Sequence, residues 1–277
     1  MSSHRRRKLQ IMRVLVWLVR LGASGLGPKL RDTVLAHLSW MMIPEIRVSV
    51  GSHSLKFWSF GGWSIARGRT VLTKEPLTIS WIDGFTERSD GAVFWDVGAN
   101  VGVYTVYAAA TKRVLTFAFE PSALNFAVLQ KNLELNGIDN LVRSFPIALS
   151  DSSGLGKFTL AEASPGKTGG QLNLLKDTLG PVQGVLHFSI DDLVERHSFP
   201  VPHYIKIDVD GIENLILRGA AKTLANSLVK SILVEASPET QEMNEIRLML
   251  ESAGFREIAS EPTIPGKETM QNYVFSR

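Results

Sequence analysis

The chain has 277 residues, 44% of them hydrophobic and 21% charged, an ordinary globular composition with enough apolar material for one sizeable core. It contains no cysteine, which excludes disulfides, zinc–thiolate sites and a cysteine nucleophile. The net charge of +3 is uneven: residues 1–31 hold eight Lys and Arg and no acid, leaving 22 basic against 27 acidic residues in the remainder, so the basic balance belongs to the tail and no nucleic-acid partner is expected for the body.

The tail opens with Arg5, Arg6, Arg7 and Lys8, and Arg13 and Arg20 bracket the six uncharged residues Val14 to Val19. Six are too few for a signal-peptide core or a bilayer span. A basic amphipathic helix is expected, either packed on the domain or lying on an anionic membrane surface through Trp17 and its aliphatic neighbours. The expected location is therefore cytoplasmic, with peripheral contact at the inner membrane face through residues 1–31. Gly22 to Pro28 ends this helix. Residues 46–50 and 54–59 alternate around Gly51-Ser52-His53 and read as a hairpin. Residues 74–84 read as a short helix ending at Gly84. Residues 1–85 are taken as an N-terminal extension and 86–277 as the main domain.

From residue 92 the pattern becomes regular. Val93 to Val97 is an apolar run ending in a glycine-rich turn, followed by a helical stretch over 101–111. Val114 to Phe119 is a second run, ending at Glu120-Pro121. Ser122 reads as the N-cap of a helix with Phe126, Leu129 and Leu133 on its core face, stopped by Asn136-Gly137. Leu141 to Leu149 is a third run. Strands alternating with helices predict right-handed βαβ units on a parallel sheet. Residues 157–160 and 185–190 read as strands around the flexible stretch 164–170. Tyr204 to Asp208 is a fourth buried strand, followed by a helix over 212–226, a strand at 232–235 and a helix over 239–253. Two final strands, 255–260 and 271–276, predict an antiparallel edge hairpin. The fold expected is α/β: a doubly wound, mostly parallel seven-stranded sheet.

Three motifs fall at the carboxyl ends of these strands, where open α/β sheets bind ligands. Asp96-x-Gly98-x-x-x-Gly102 lies between a strand and a helix; glycines there let backbone approach a ligand closely. The spacing is not the G-x-G-x-x-G that suits a pyrophosphate. A carboxylate such as Asp96 suits an ammonium group instead. Glu120 ends the next strand, placed to accept both hydroxyls of a ribose. Asp208, in Lys206-Ile-Asp208-Val-Asp210-Gly211, ends the fourth strand and faces the same mouth. It is the candidate catalytic residue, as an acid that orients or deprotonates an acceptor hydroxyl or stabilises a sulfonium. Oxygen ligands at Asp208 and Asp210 would suit Mg²⁺, but two carboxylates two residues apart are weak grounds, and no metal is expected. His187 and His203 lie near strand ends and are the alternative general bases.

The segments Phe94-Trp-Asp-Val-Gly-Ala-Asn-Val-Gly102, Phe119-Glu-Pro121, Asn132-Leu-Glu-Leu-Asn-Gly137, Ala148-Leu-Ser-Asp151, Ile190-Asp-Asp-Leu193 and Ile205-Lys-Ile-Asp-Val-Asp-Gly211 resemble, in order, the motifs of the FkbM family of methyltransferases. The resemblance runs over about 90–236. It implies a class I methyltransferase fold, S-adenosylmethionine as methyl donor, and O-methylation of a hydroxyl on a sugar or natural product. Cofactor contacts are then expected at Asp96, Gly98, Asn100, Gly102, Glu120 and Asp151. One departure is Asp210, where the family more often shows Glu. A small-molecule or glycan hydroxyl is the expected partner. Two rival readings remain on the same fold: a nicotinamide-dependent oxidoreductase, against which the glycine spacing argues, and a non-catalytic binding module, against which the intact acids Asp96, Glu120 and Asp208 argue.

Overall fold

The computed structural model describes residues 3–85, 91–160, 162–173, 180–264 and 267–277. The chain divides into two compact units, Met1–Pro44 and Glu45–Arg277. The first contains α1 (Ser3–Ala23) and α2 (Pro28–Met41), separated at the expected break. Pro28 opens α2, where a missing N–H costs nothing. No residue of α2 is buried, and α1 exposes Ile11, Val14, Leu15, Val16, Trp17 and Leu18. Among the described residues no helix is long and apolar enough to cross a membrane.

The second unit opens with the antiparallel hairpin β1 (Glu45–Val50) and β2 (His53–Trp58). Two short helices follow, α3 (Gly62–Thr70), which the sequence pattern did not disclose, and α4 (Pro76–Asp83). Then come β3 (Val93–Val97), α5 (Val103–Lys112), β4 (Leu115–Phe119), α6 (Ala123–Asn136) and β5 (Val142–Phe145). Ser122 caps α6 by accepting from the Asn125 N–H, and Gly137 ends it in the left-handed region at φ +62°.

The third apolar run, expected as one strand over 141–149, is two elements. Pro146 falls between them and cannot donate to a ladder. After it β6 (Ala148–Leu149) leaves for a second sheet with β7 (Gly154–Thr159), β8 (Gln171–Asn173) and β9 (Val182–Phe188), in the order β6-β9-β7-β8.

The remaining elements are α7 (Ile190–Glu195), β10 (Tyr204–Ile207), α8 (Glu213–Arg218), α9 (Ala221–Ala225), β11 (Ser231–Ala236), α10 (Gln241–Ser252), β12 (Arg256–Ile264) and β13 (Lys267–Ser276). The helix expected over 212–226 is interrupted at Gly219. A β-carbon there would stand 2.2 Å from the Ser150 carbonyl oxygen, so the backbone of this corner abuts the 150–151 turn.

The main sheet has the order β12-β13-β11-β10-β3-β4-β5. Strands β11, β10, β3, β4 and β5 run parallel, and β13 and β12 add antiparallel at the edge. This is the mostly parallel seven-stranded sheet with an antiparallel edge hairpin that the sequence predicts. Every residue of β3, β10 and β11 is buried, because both faces of the sheet are covered. Val93, Trp95 and Val97 face one apolar cluster with α8 and α10; Phe94 faces another with α5 and α6.

Leu55, Phe57, Val71, Ile82 and Phe85 belong to that second cluster. The expected domain boundary at 85/86 therefore falls inside one core, and the structural division lies at 44/45 instead. Asn132 and Asn136 on α6 explain the attachment. One turn apart, they accept the N–H groups of Trp58 and Lys56 at 2.6 and 2.9 Å, and Asn136 returns a bond to the Lys56 carbonyl at 2.7 Å. Side-chain amides thus replace a neighbouring strand along β2.

Candidate active site

The chain reverses its winding between β3 and β10, where Asp96 is registered with Lys206. Beyond the carboxyl ends of these strands and β4 lies a cleft lined by Gly98, Asn100, Glu120, Asn125, Asp208 and Asp210 among others.

Gly98 has φ +82°, and a β-carbon on it would fall 1.9 Å from the Asp208 carbonyl oxygen. Only glycine lets the two strand ends meet. The N–H groups of Gly98 and Ala99 both donate to the Phe119 carbonyl at 3.0 Å, which fixes the turn against β4. Asn100 also has a positive φ, +53°. This turns its N–H onto Glu120 Oε2 at 2.8 Å, while Glu120 Oε1 accepts from the Ser122 N–H at 2.8 Å and from the Asn125 amide at 3.5 Å. Burial pushes the Glu120 carboxyl up to about 7, against the pull of those three bonds. A carboxylate offers about four acceptor positions. Three are used within the chain, so capacity remains for a ribose hydroxyl, and the residues present fit a nucleoside cofactor.

Lys206 Nζ lies 2.7 Å from Asp208 Oδ2, and the lysine side chain is 1% exposed. Burial disfavours both charges. On Lys206 it is overcome by the carboxylates of Asp208, Asp96 and Glu75, which hold the ammonium ionised. On Asp208 it is overcome by Lys206, by a hydrogen bond with Glu235 and by Lys74, and the pKa falls well below the usual range. Glu235, at the end of β11, is pushed far up by burial and by the Asp208 charge. Their mutual contact thus favours the ionised form at Asp208 and the neutral form at Glu235.

Glu75 completes this group from the start of α4. It pairs with Lys74 and accepts from Thr78 Oγ1 at 3.2 Å and the Asn272 amide at 3.4 Å. Glu75, Asp208 and Glu235 bring ligand atoms within 4.8 Å of one another, a set of the kind that could hold a metal ion; Lys74 and Lys206 pair with two of its three acids. This set differs from the Asp208 and Asp210 pair that the sequence suggested.

The structure brings Gly98, Asn100, Glu120 and Asp208 together on the cleft wall, but not the other expected positions. Asp96 lies beneath, 1% exposed, accepting from Thr105 Oγ1 at 2.5 Å, and its Oδ1 has no partner among the described residues. Burial raises its pKa, with Lys206 opposing. A β-carbon on Gly102 would meet Leu129 Cδ1 at 2.1 Å, so this glycine serves the α5–α6 contact rather than a ligand. Asp151 is exposed, takes the hydroxyls of Ser150 and Ser152 at 3.3 and 3.2 Å, and is not among the residues of the cleft wall.

Neither His187 nor His203 is among the residues of the cleft wall. His203 precedes β10, at the opposite end of the sheet, where its Nδ1 accepts the Val93 N–H at 3.1 Å. His187 is 4% exposed, its Nδ1 2.8 Å from the Ser152 carbonyl.

The loop over 164–170 lies across the cleft. The Lys167 carbonyl accepts from the amides of Asn100 and Asn125 at 3.3 and 3.4 Å, and the Gly166 N–H donates to Asn125 Oδ1 at 2.8 Å. The Gly169 N–H donates to Asp210 Oδ2 at 2.7 Å. Ser64 and Arg67 of α3 bond to the carbonyls of Pro165 and Gly166 at 3.1 and 3.3 Å. Sequence reasoning missed Arg67, Glu75, Asn125, Lys167 and Glu235. Asn125 stands three residues after the Ser122 cap and Glu235 near the end of a buried strand, both local signals; Arg67, Glu75 and Lys167 arrive by long-range packing that no local pattern encodes.

The Methyltransferase FkbM domain family model matches residues 96–257, more than half of the chain. The hexuronic acid methyltransferase AglP of Haloferax volcanii is 31% identical over 149 residues, 54% of this chain, and the match spans 57% of that protein's length. Methyltransferase 1 of Beauveria bassiana is 24% identical over 190 residues, covering 62% of this chain and 76% of that one. The crystal structure of a methyltransferase FkbM from Methylobacillus flagellatus aligns at a TM-score of 0.47 and 13% identity over 77% of this chain and 55% of its own.

Proposed function

The chain belongs to the methyltransferase FkbM domain family, and from that premise we propose that it methylates an oxygen of a sugar acceptor. S-adenosylmethionine is the cofactor and supplies an electrophilic methyl carbon. The observation that carries the reading is the joining of Gly98, Asn100 and Glu120 at one strand-end turn, with Asp208 on the facing strand. The 31% identity to a protein described as a hexuronic acid methyltransferase supports a sugar acceptor.

We assign Gly98, Asn100 and Glu120 to the cofactor: Gly98 for close backbone approach, and Asn100 as the turn that holds Glu120 towards the ribose. Asp96, under the same turn, sets charge from below through Lys206. Asp208 faces the acceptor, but the Lys206 charge makes it a weak base. Its role is to orient the acceptor hydroxyl by accepting its hydrogen bond. Asp210, on the same wall with a pKa raised by burial, is better matched to take the hydroxyl proton. Most of the acceleration then comes from alignment of donor and acceptor.

The first unit we assign to an anionic membrane surface. Eight basic residues without an acid in residues 1–31, and the exposed apolar side chains from Ile11 to Leu18, support that placement.

Calorimetry with S-adenosylhomocysteine, followed by transfer of labelled methyl to a panel of neutral and acidic sugars, tests the enzymatic reading. Binding and labelling of a sugar are expected; failure to bind S-adenosylhomocysteine would overturn it.

A further inference from the structure

The cleft wall carries two cations that form no ion pair among the described residues. Lys74 and Lys206 are each held on an acid, Glu75 and Asp208. Arg67 and Lys167 line the same cleft, and among the described residues neither forms an ion pair. Arg67 spends one of its five N–H donors, on the Gly166 carbonyl at 3.3 Å. Lys167 Nζ sits 4.3 Å from the centroid of the Trp63 ring, which offers a face but no counter-charge. Both side chains are partly buried. A partly desolvated guanidinium and a partly desolvated ammonium on one cleft wall suit an oxyanion, which the planar fork of an arginine can grip with two bonds.

Their position tells which oxyanion. Arg67 lines the cleft with Asp210, and its carbonyl partner Gly166 belongs to the loop that carries Lys167 and runs from Asn100 and Asn125 to Asp210, where the Gly169 N–H bonds at 2.7 Å. The nucleoside side, at Glu120, is furnished with acceptors and neutral amides. Both cations come from elements outside the parallel sheet, α3 and the loop over the cleft. Elements of this kind can vary the acceptor while the cofactor turn stays fixed. Trp63, 46% exposed beside Lys167, adds an apolar face of the kind that packs on the C–H face of a pyranose.

Resting on the methyl-transfer reading above, we propose that Arg67 and Lys167 form a subsite for an anionic group on the acceptor, the carboxylate of a hexuronate or the phosphate of a sugar phosphate. The acceptor is an acidic sugar, and a neutral one is discriminated against by loss of both charged contacts.

The test uses the full chain saturated with S-adenosylhomocysteine and measures binding of glucuronate, glucose 1-phosphate and glucose by calorimetry. Glucuronate, glucose 1-phosphate or both should bind at least about tenfold more tightly than glucose, and which of the two binds tells carboxylate from phosphate. Arg67→Gln and Lys167→Gln should each remove most of that preference and leave S-adenosylhomocysteine affinity within about twofold. That second reading also shows that each variant is folded. Equal affinity for glucose and both anions, or no binding of either anion, overturns the proposal. So does a loss of S-adenosylhomocysteine affinity in the variants with 5′-methylthioadenosine binding unchanged, because the pair would then hold the cofactor's own carboxylate. Failure of the parent chain to bind S-adenosylhomocysteine is a different result, and counts against the methyltransferase reading itself.

Discussion

A β-carbon on Gly98 would stand 1.9 Å from the backbone carbonyl oxygen of Asp208. The cofactor turn and the acceptor strand therefore meet backbone to backbone, with no flexible side chain able to give way. Gly98→Ala must both hold φ near +82° and push the two strand ends apart. The expected cost is about 3 kcal/mol or more, read in urea unfolding, together with loss of S-adenosylhomocysteine binding. An unchanged midpoint would show that the turn is softer than this contact implies.

Removing one partner of the Lys206–Asp208 pair leaves the other charge stranded. Asp208→Asn should destabilise the chain by about 3 kcal/mol, because Lys206 is 1% exposed and loses its nearest acid. Lys206→Met added to Asp208→Asn should recover much of that loss, since the stranded ammonium is then gone and Asp96, its burial raising its pKa, can take up a proton. Chemical denaturation of the two variants decides; a double variant less stable than the single would contradict the pairing.

Glu120 and Glu213 are both pushed up to about 7 by burial, from an unperturbed 4.5. A carboxyl whose pKa rises on folding favours the folded state most below its unfolded pKa, and that contribution is lost as pH rises through the folded one. Unfolding free energy of the cofactor-free chain should therefore fall between about pH 4.5 and 7. Asp208, shifted the other way, acts only below this window. Glu235, pushed up to about 10, adds a fall of the same sign across this window, so replacing both glutamates by Gln should lessen the slope and leave the Glu235 part. If Glu120 accepts ribose hydroxyls, S-adenosylhomocysteine selects its ionised form, so affinity should rise with pH through about 7 in the parent and not in Glu120→Gln. Calorimetry across pH reads both.

Residues 45–277 form a compact unit of their own. The chain without residues 1–44 should keep S-adenosylhomocysteine affinity within about twofold and lose binding to phosphatidylglycerol-containing vesicles, at roughly 1 kcal/mol per basic residue near the surface. Equal sedimentation of both chains with vesicles would remove the membrane from the account.

Most of the sheet was legible in the sequence because buried parallel strands are short unbroken apolar runs, and turns such as Asn136-Gly137 announce themselves. Glu120 and Gly98 were legible for the same reason: they stand at the ends of such runs. Gly102 misled because a glycine needed for close contact with Leu129 looks the same, in sequence, as one needed for a ligand. Asp151 was carried by motif likeness alone. The order Lys206-x-Asp208 was visible, but its consequence was not. Two residues apart on a strand the side chains share a face, and burial then turns neighbours into an ion pair that weakens the base. Arg67 and Lys167 reach the cleft, and Glu75 the acid cluster at Asp208, through packing of α3, a loop and α4, which no local pattern announces.

The clamp of Asn132 and Asn136 on β2 bears on how such chains diversify. The hairpin leads into the segment that delivers Arg67, Lys74 and Glu75, so inheritance of the acceptor side is tied to two amides on a helix that helps to build the cofactor side. A graft of the segment 45–85 from a relative would arrive without an anchorage unless α6 came with it. Specificity in this architecture is thus exchangeable as a matched set of pieces, and a swap confined to either piece should produce insoluble protein before it produces a new substrate.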